Sequence, residues 1–361
     1  MVPSARRLVL PSTGAVSWTV VGPDGLPIPA AESFLVYLDA RELSPETTRT
    51  YAHALALYFR FLDEAALDWQ AVRLVDLAEF IVWLRRPAPN VIVLDLSASR
   101  RKPRTVNKIL AAVSSFYDYQ VRNGCDVADR LVVWRHIAAH RYKPFLHHIN
   151  KSKPRRTSAL RLSEDHHHPK VLTVDQVQSL LDGCRHLRDR LLLSLLHETG
   201  MRIGQALGLR HCDMRTWDGE VIIVPRADNA NRARAKTRSE HVVHTSVALG
   251  RLYSDYMHAE YGDLDSDYVF VNLWGGERGR PLTYGGAYRL VTQLRASTGV
   301  AFTPHMLRHT HATDLLRAGV KLEVASRRLT HSSVATTADT YAHLDGEDIR
   351  RALEPYWETR P

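Results

Sequence analysis

Thr303-Pro304-His305-Met306-Leu307-Arg308-His309-Thr310-His311-Ala312-Thr313 is the stretch that decides how this chain reads. Threonine is a preferred N-cap and proline suits the first helical position, so a helix opens here with His305 and Arg308 together in its first turn. Backbone N–H groups and the helix dipole favour an anion at that end, and a guanidinium fork matches two phosphate oxygens at once. Leu307, Ala312, Leu315 and Leu316 form an apolar face that a plain core helix explains. His305 and Arg308 are left over, because burying both requires partners of the kind a bound phosphate supplies.

A phosphate-bearing partner fits the composition of the whole chain. Its 361 residues predict about two domains, 45% hydrophobic content fills their cores, and a formal charge of +9 points to a polyanion. No apolar run is long enough to span a bilayer, and residues 1–30 lack the continuous apolar segment of a signal peptide, so a cytoplasmic protein with no membrane partner is expected. Cys125, Cys184 and Cys212 are widely spaced and read as reduced thiols. His166, His167 and His168, without cysteines nearby, read as solvated linker, so no metal site is assigned.

Working towards the N-terminus, residues 134–168 form a basic interdomain linker. It has no acid between Trp134 and Ser163 but carries Lys151, Lys153, Arg155 and Arg156 among other cations, and such a segment should extend by self-repulsion. Residues 29–133 show helical periodicity throughout: Phe34, Leu35 and Leu38 in a first helix, Tyr51 to Leu62 in a second after Ser44-Pro45, Asp76 to Arg86 in a third, and a fourth capped by Thr105. Arg100, Arg101, Lys102, Arg104 and Lys108 crowd the entrance of the fourth helix and could grip a nucleic-acid backbone, although an ordinary solvated face explains any one of them. Residues 1–28 alternate as strands around a Pro23-Asp24-Gly25 turn and form a small hairpin appendage.

From residue 169 to 344 a second domain begins with a capping box, Thr173 with Gln176. A helix ending at Thr199-Gly200 is followed by Arg202, placed at a glycine bend. Strands are expected at Val221–Val224 and His241–His244, joined by a basic hairpin tip that carries Arg232, Arg234, Lys236 and Arg238. After the His305 helix come Leu329-Thr330-His331 and then Tyr341-Ala342-His343-Leu344. Residues 345–361 read as a short tail helix with Ile349, Leu353 and Trp357 on one stripe, docking either on its own domain or on a neighbouring subunit.

The order and spacing of Gly200-Met201-Arg202, Lys236, His305-x-x-Arg308, His331 and Tyr341 resemble the tyrosine recombinase or phage integrase family. The resemblance implies a mainly α fold with a small antiparallel β-sheet: an N-terminal helical, SAM-like core-binding domain followed by a tyrosine-recombinase catalytic domain. It further implies site-specific cleavage and rejoining of double-stranded DNA through a 3′-phosphotyrosyl intermediate, without metal or cofactor, by a homotetramer on paired sites that works alone or with accessory recombination proteins. Integration, excision or transposition of a mobile element would follow. Carried over, Arg202 and Arg308 hold the scissile phosphate, Tyr341 attacks it, Lys236 protonates the leaving oxygen, His305 moves the tyrosine proton and His331 donates to the phosphate.

Two positions depart from the family's pattern. Gln205 stands where an acid is common, and Thr330 stands where glycine is usual before the second histidine. Two other readings remain open from the residues: a type IB topoisomerase-like nicking-closing enzyme, and a non-catalytic DNA-binding protein that keeps the fold. Tyr356 is a rival nucleophile by composition.

Overall fold

A computed structural model describes residues 1–9, 16–41, 43–86, 101–125, 132–135, 155–158, 160–164, 169–235, 237 and 239–330. Contacts divide the chain into two units, Met1–His166 and His167–Pro361. Arg100, Lys151, Lys153, the histidines at 166–168, Lys236, Arg238, His331, Tyr341 and the tail at 345–361 lie outside the described residues, as do the side chains of Arg155 and Arg156.

Unit 1 opens with strands β1 (Ser4–Val9) and β2 (Val16–Val21), antiparallel with Ser4 opposite Val21. Pro23-Asp24-Gly25 then turns the chain, Gly25 N–H donating to Gly22 O at 3.1 Å. Helices α1 (Pro29–Ala40), α2 (Pro45–Glu64), α3 (Leu74–Arg85) and α4 (Pro103–Arg122) follow. Proline occupies the first turn of α1, α2 and α4, and Ser44 Oγ accepts from Thr47 N–H at 3.2 Å to close α2. Thr105, expected as the cap of α4, lies inside the helix, because Pro103 already has a helical φ and lacks only an N–H that helix starts leave unused.

The core of this unit is aromatic. Phe34, Tyr58, Phe59, Phe80, Phe116 and Tyr117 are all buried, with Phe116 edge-on to Phe34, Phe59, Trp69 and Tyr117 at centroid distances of 5.9, 5.9, 5.6 and 5.2 Å. Tyr58 and Tyr117 share a 2.5 Å hydrogen bond, and Tyr117 Oη donates to Trp69 O at 2.8 Å. Burial raises both phenol pKa values far above their ordinary range.

The segment expected to run as an extended tether is partly structured. Strand β3 (Val132–Arg135) pairs antiparallel with β4 (Arg155–Ser158). Beyond it, Asn107 of α4 donates through Nδ2 to Leu162 O (3.0 Å) and Glu164 Oε1 (2.7 Å) and accepts from Leu162 N–H (2.9 Å). Leu160 and Leu162 pack on the unit 1 core. Like-charge repulsion across solvent is screened and weak, so backbone pairing and two packed leucines outweigh it.

Unit 2 contains α5 (Val174–Asp182), α6 (Leu187–Thr199), α7 (Ile203–Leu207), β5 (Met214–Arg215), β6 (Glu220–Ile223), β7 (His241–His244), α8 (Val247–Tyr256), α9 (Tyr284–Thr298), α10 (Pro304–Arg317) and α11 (Leu322–Arg328). The strands form an antiparallel sheet in the order β5-β6-β7, with Val221 opposite Val243. Thr173 and Gln176 form the expected capping box, with bonds of 3.2 and 3.0 Å. The core is mostly aliphatic, with Leu191, Leu192, Leu195, Val291 and Leu294 buried beside Phe270 and Phe302. Cys184 is half-buried; its thiol donates to Leu180 O at 3.3 Å, and burial pushes its pKa up to about 12.

The connection from β6 to β7 is not a simple solvated tip. Asn231 Nδ2 donates to Leu207 O and Leu282 O, each at 2.8 Å, and Asn229 Nδ2 donates to Ala233 O at 2.9 Å. Asn231, Ala233 and Ala235 are buried while Arg232 and Arg234 are exposed. Upstream, Arg226 forms a bidentate pair with buried Asp213, at 2.6 and 2.7 Å, so this cation is committed within the fold.

Candidate active site

Helix α6 stops at Gly200, whose φ of +65° is a left-handed cap conformation. Glycine is required twice over here, because a Cβ would lie 2.6 Å from His311 Cδ2 and 2.8 Å from Leu329 Cδ2. The bend turns Gly200 O towards Arg308 Nη1, which donates to it at 2.7 Å, while Nη2 donates to Leu329 O. Arg308 is only 2% exposed and sits in the first turn of α10, where Thr303 Oγ1 accepts from Met306 N–H at 3.3 Å. The helix start read from Thr303-Pro304 thus places Arg308 against the carbonyl of the glycine bend.

Arg202 leads into α7 immediately after the bend. Its N–H donates to Gln205 Oε1 at 2.7 Å, and its Nη1 donates to Thr330 Oγ1 at 3.1 Å. Gln205 Nε2 lies 3.3 Å from the same hydroxyl. The two departures from the family pattern therefore meet at one atom. Thr330 has φ +53°, a region that strains a β-branched residue by about 1 kcal/mol or more and explains why glycine suits the position. Among the described residues Arg202 has no carboxylate partner, and burial lowers its pKa without compensation.

Arg202, Arg308 and His305 line one cavity of about 320 Å³, together with Met201, Ile203, Gly204, Arg234, Tyr284 and Pro304. Gly204 permits this convergence: a Cβ there would lie 2.1 Å from Tyr284 Oη and 2.6 Å from Arg234 O. The His305 ring is exposed at the mouth, edge-on to His309 at 4.3 Å. Protein packed around its base lowers its pKa, and Arg308 and Arg202 push in the same direction, so the ring is neutral at pH 7. Cations that converge without a described acid on Arg202 offer the charge and fork geometry that an anion can meet.

Of the residues singled out in the sequence, Arg202, His305 and Arg308 come together. Arg234, from the basic connection between β6 and β7, lines the same cavity. Lys102, Arg104 and Lys108 are exposed at the start of α4, whose first turn contains no acid, whereas Arg101 donates to Leu84 O at 2.9 Å and ties α4 to α3. Sequence reasoning missed Tyr284 and Arg328. Arg328 donates to His311 Nε2, Glu198 O and His244 O, each at 3.0 Å, and so anchors the corner that carries Leu329 and Thr330. The local signal for it was slight, since Arg327 beside it has the same charge.

Residues 170–348 match the Phage integrase family, and residues 31–124 match the Phage integrase N-terminal SAM-like domain. Transposase A from transposon Tn554 of Staphylococcus aureus is 38% identical over 329 residues, covering 91% of this chain and 90% of that protein. Tyrosine recombinase XerD of Mycobacterium leprae is 29% identical over 317 residues, 85% of this chain and 90% of XerD. Among solved structures, the Tn1549 transposon integrase in complex with transposon right end DNA aligns with a TM-score of 0.60 at 16% identity, over 91% of this chain and 100% of that one. The XerH site-specific recombinase bound to palindromic difH substrate also aligns at 0.60, at 19% identity over 91% and 89% of the two chains, a likeness of fold. With the extent and identity of the match to Tn554 transposase A and a fold of helical unit plus integrase unit, the chain belongs to the phage integrase family, the tyrosine recombinases, enzymes that cleave and rejoin DNA strands.

Proposed function

We propose that the cavity of unit 2 binds the scissile phosphate of a DNA duplex and that the enzyme moves a mobile element by site-specific recombination. The observation that carries this reading is the convergence of Arg202, Arg308 and His305 on one cavity. Tyr341 attacks phosphorus, the bond to the 5′-oxygen breaks, and a 3′-phosphotyrosyl enzyme with a free 5′-hydroxyl results. The tyrosine proton passes to His305, whose neutral imidazole can accept it. Lys236 gives a proton to the leaving oxygen, a step closed to the neighbouring arginines, which stay charged at neutral pH. Arg202 and Arg308 offset the negative charge that grows on the non-bridging oxygens, and His331 adds a hydrogen bond.

The similarity to Transposase A from Tn554 supports transposition as the biological outcome. Duplex DNA as the partner is supported by the +9 charge and by the cationic start of α4, where Lys102 and Arg104 oppose the helix dipole unless an anion is present. In this reading the enzyme acts in the cytoplasm at the nucleoid, as a homotetramer on paired sites, with accessory proteins assisting. The domain layout follows: 29–133 and 169–344 grip DNA, with 134–168 between them. A suicide duplex nicked beside the cleavage point tests the chemistry. Tyr341→Phe should bind the site normally and yield no covalent adduct on a denaturing gel; an adduct in that variant, or its loss only in Tyr356→Phe, would sink the assignment.

A further inference from the structure

One hydroxyl, Thr330 Oγ1, joins Gln205 and Arg202. Among the described residues only Ala66, Arg232 and Thr330 are non-glycine residues with positive φ, and of these Thr330 alone is β-branched. A conformation of that sort persists where its surroundings fix it, and it points to a use for the side chain. The use is visible: Oγ1 accepts from Arg202 Nη1 at 3.1 Å and from Gln205 Nε2 at 3.3 Å. Gln205 is 3% exposed and spends its other polar atom on Arg202 N–H, at 2.7 Å. One buried amide therefore fixes Arg202 at its backbone directly and at its guanidinium through Thr330.

Every described partner in this relay is neutral. A carboxylate in the same place would fix the guanidinium and also offset its charge, whereas an amide and a hydroxyl supply direction alone. The neighbouring carbonyl, Leu329 O, accepts from Arg308 Nη2, so a single corner of backbone bears on both arginines of the cavity. We propose that Gln205 and Thr330 are positioning residues that aim Arg202 with neutral dipoles and leave its charge whole for the scissile phosphate. The proposal rests on the reading that Arg202 binds that phosphate.

The test uses the full chain and single-turnover adduct formation on the nicked suicide duplex. Thr330→Gly should slow it by about 10-fold or more, the effect of losing a hydrogen bond to a charged group, while thermal stability holds or rises because glycine accepts the positive φ. Thr330→Ser, which keeps the hydroxyl, should restore the rate. On a duplex whose scissile phosphate is a methylphosphonate, lacking one charged oxygen, the Thr330→Gly penalty should shrink, a change that a purely structural role would not produce. A double variant, Gln205→Leu with Thr330→Gly, should lose little more than the slower single variant, because both act through one relay. A wild-type rate in Thr330→Gly, equal slowing on both substrates, no rescue by serine, or fully additive losses would each overturn the proposal. Arg202→Lys separates the two levels: if it cleaves normally, the reading of Arg202 itself fails, whereas a slow Arg202→Lys beside a fast Thr330→Gly refutes only the relay.

Discussion

The two units fill their interiors in different ways. Unit 1 packs rings on rings, with Phe34, Phe59, Phe80 and Phe116 buried together, and among the described residues its buried polar side chains, tyrosines aside, are Thr19, Thr48, Asp76 and Gln120. Unit 2 buries Arg308, Gln205, Asp213, Asn229, Asn231 and His311 within an aliphatic core, each with directed bonds. Hydrophobic burial is non-directional and the edge-on preference of rings is shallow, whereas a buried polar group is costly unless its partner is correctly placed. Unit 1 is built to hold shape, and unit 2 is built to hold angles. The proposed alignment of Arg202 and Arg308 on one phosphate calls for the second kind of interior.

The largest stability loss should come from a polar pair in unit 2. Asp213→Ala strands Arg226 in a bidentate site where Asp213 is 3% exposed, and should cost about 3–5 kcal/mol in denaturant unfolding. A loss no greater than that of a core ring swap in unit 1 would break the comparison. Acid sharpens it next. His311 is buried against Arg328 and its pKa is lowered to about 3, by burial first and then by the neighbouring Arg328, His197 and Arg308. Since the unfolded chain takes up this proton near pH 6.5 and the folded chain does not, stability is complete above that pH and falls as pH drops towards 3. The loss reaches about 2 kcal/mol by pH 5 for this one group, and His311→Gln should flatten the pH dependence even though it is less stable at pH 7. An unchanged slope would remove His311 from the account. The smallest effect belongs to unit 1: Phe116→Leu should cost about 1–2 kcal/mol through lost ring contacts and leave the cleavage rate of the folded enzyme as it was. A changed rate would mean that ring packing in unit 1 does more than hold shape.

Local signals in the sequence carried the helices and much of the site. Thr173 with Gln176, Ser44-Pro45 and Thr303-Pro304 are short-range cap chemistry, and the structure forms all three helix starts. Where two local signals competed, at Pro103 and Thr105, proline's fixed φ won. What was not legible depends on distant partners. Asn231 reads as a turn residue, yet it joins Leu207 to Leu282, a pairing that no local window contains. Gln205 and Thr330 each look like a defect when read separately along the chain, and only their shared bond shows that they belong together. Arg232 and Arg234 are alike in sequence and both exposed, and only the fold distinguishes them: of these two, Arg234 lines the cavity.

Gly204 has a mechanical consequence. Its bare Cα is where three parts meet: α7 after Arg202, the chain at Arg234 and the first residue of α9, Tyr284. A hinge needs clearance, and here there is none, since not even a methyl group fits between them. The parts behave as a seated joint rather than a sliding one. With Arg234 O and Tyr284 Oη both set against this Cα, the chain at Arg234 has no room to move towards α7 without displacing it, which ties the segments that carry Arg202 and Arg234 together.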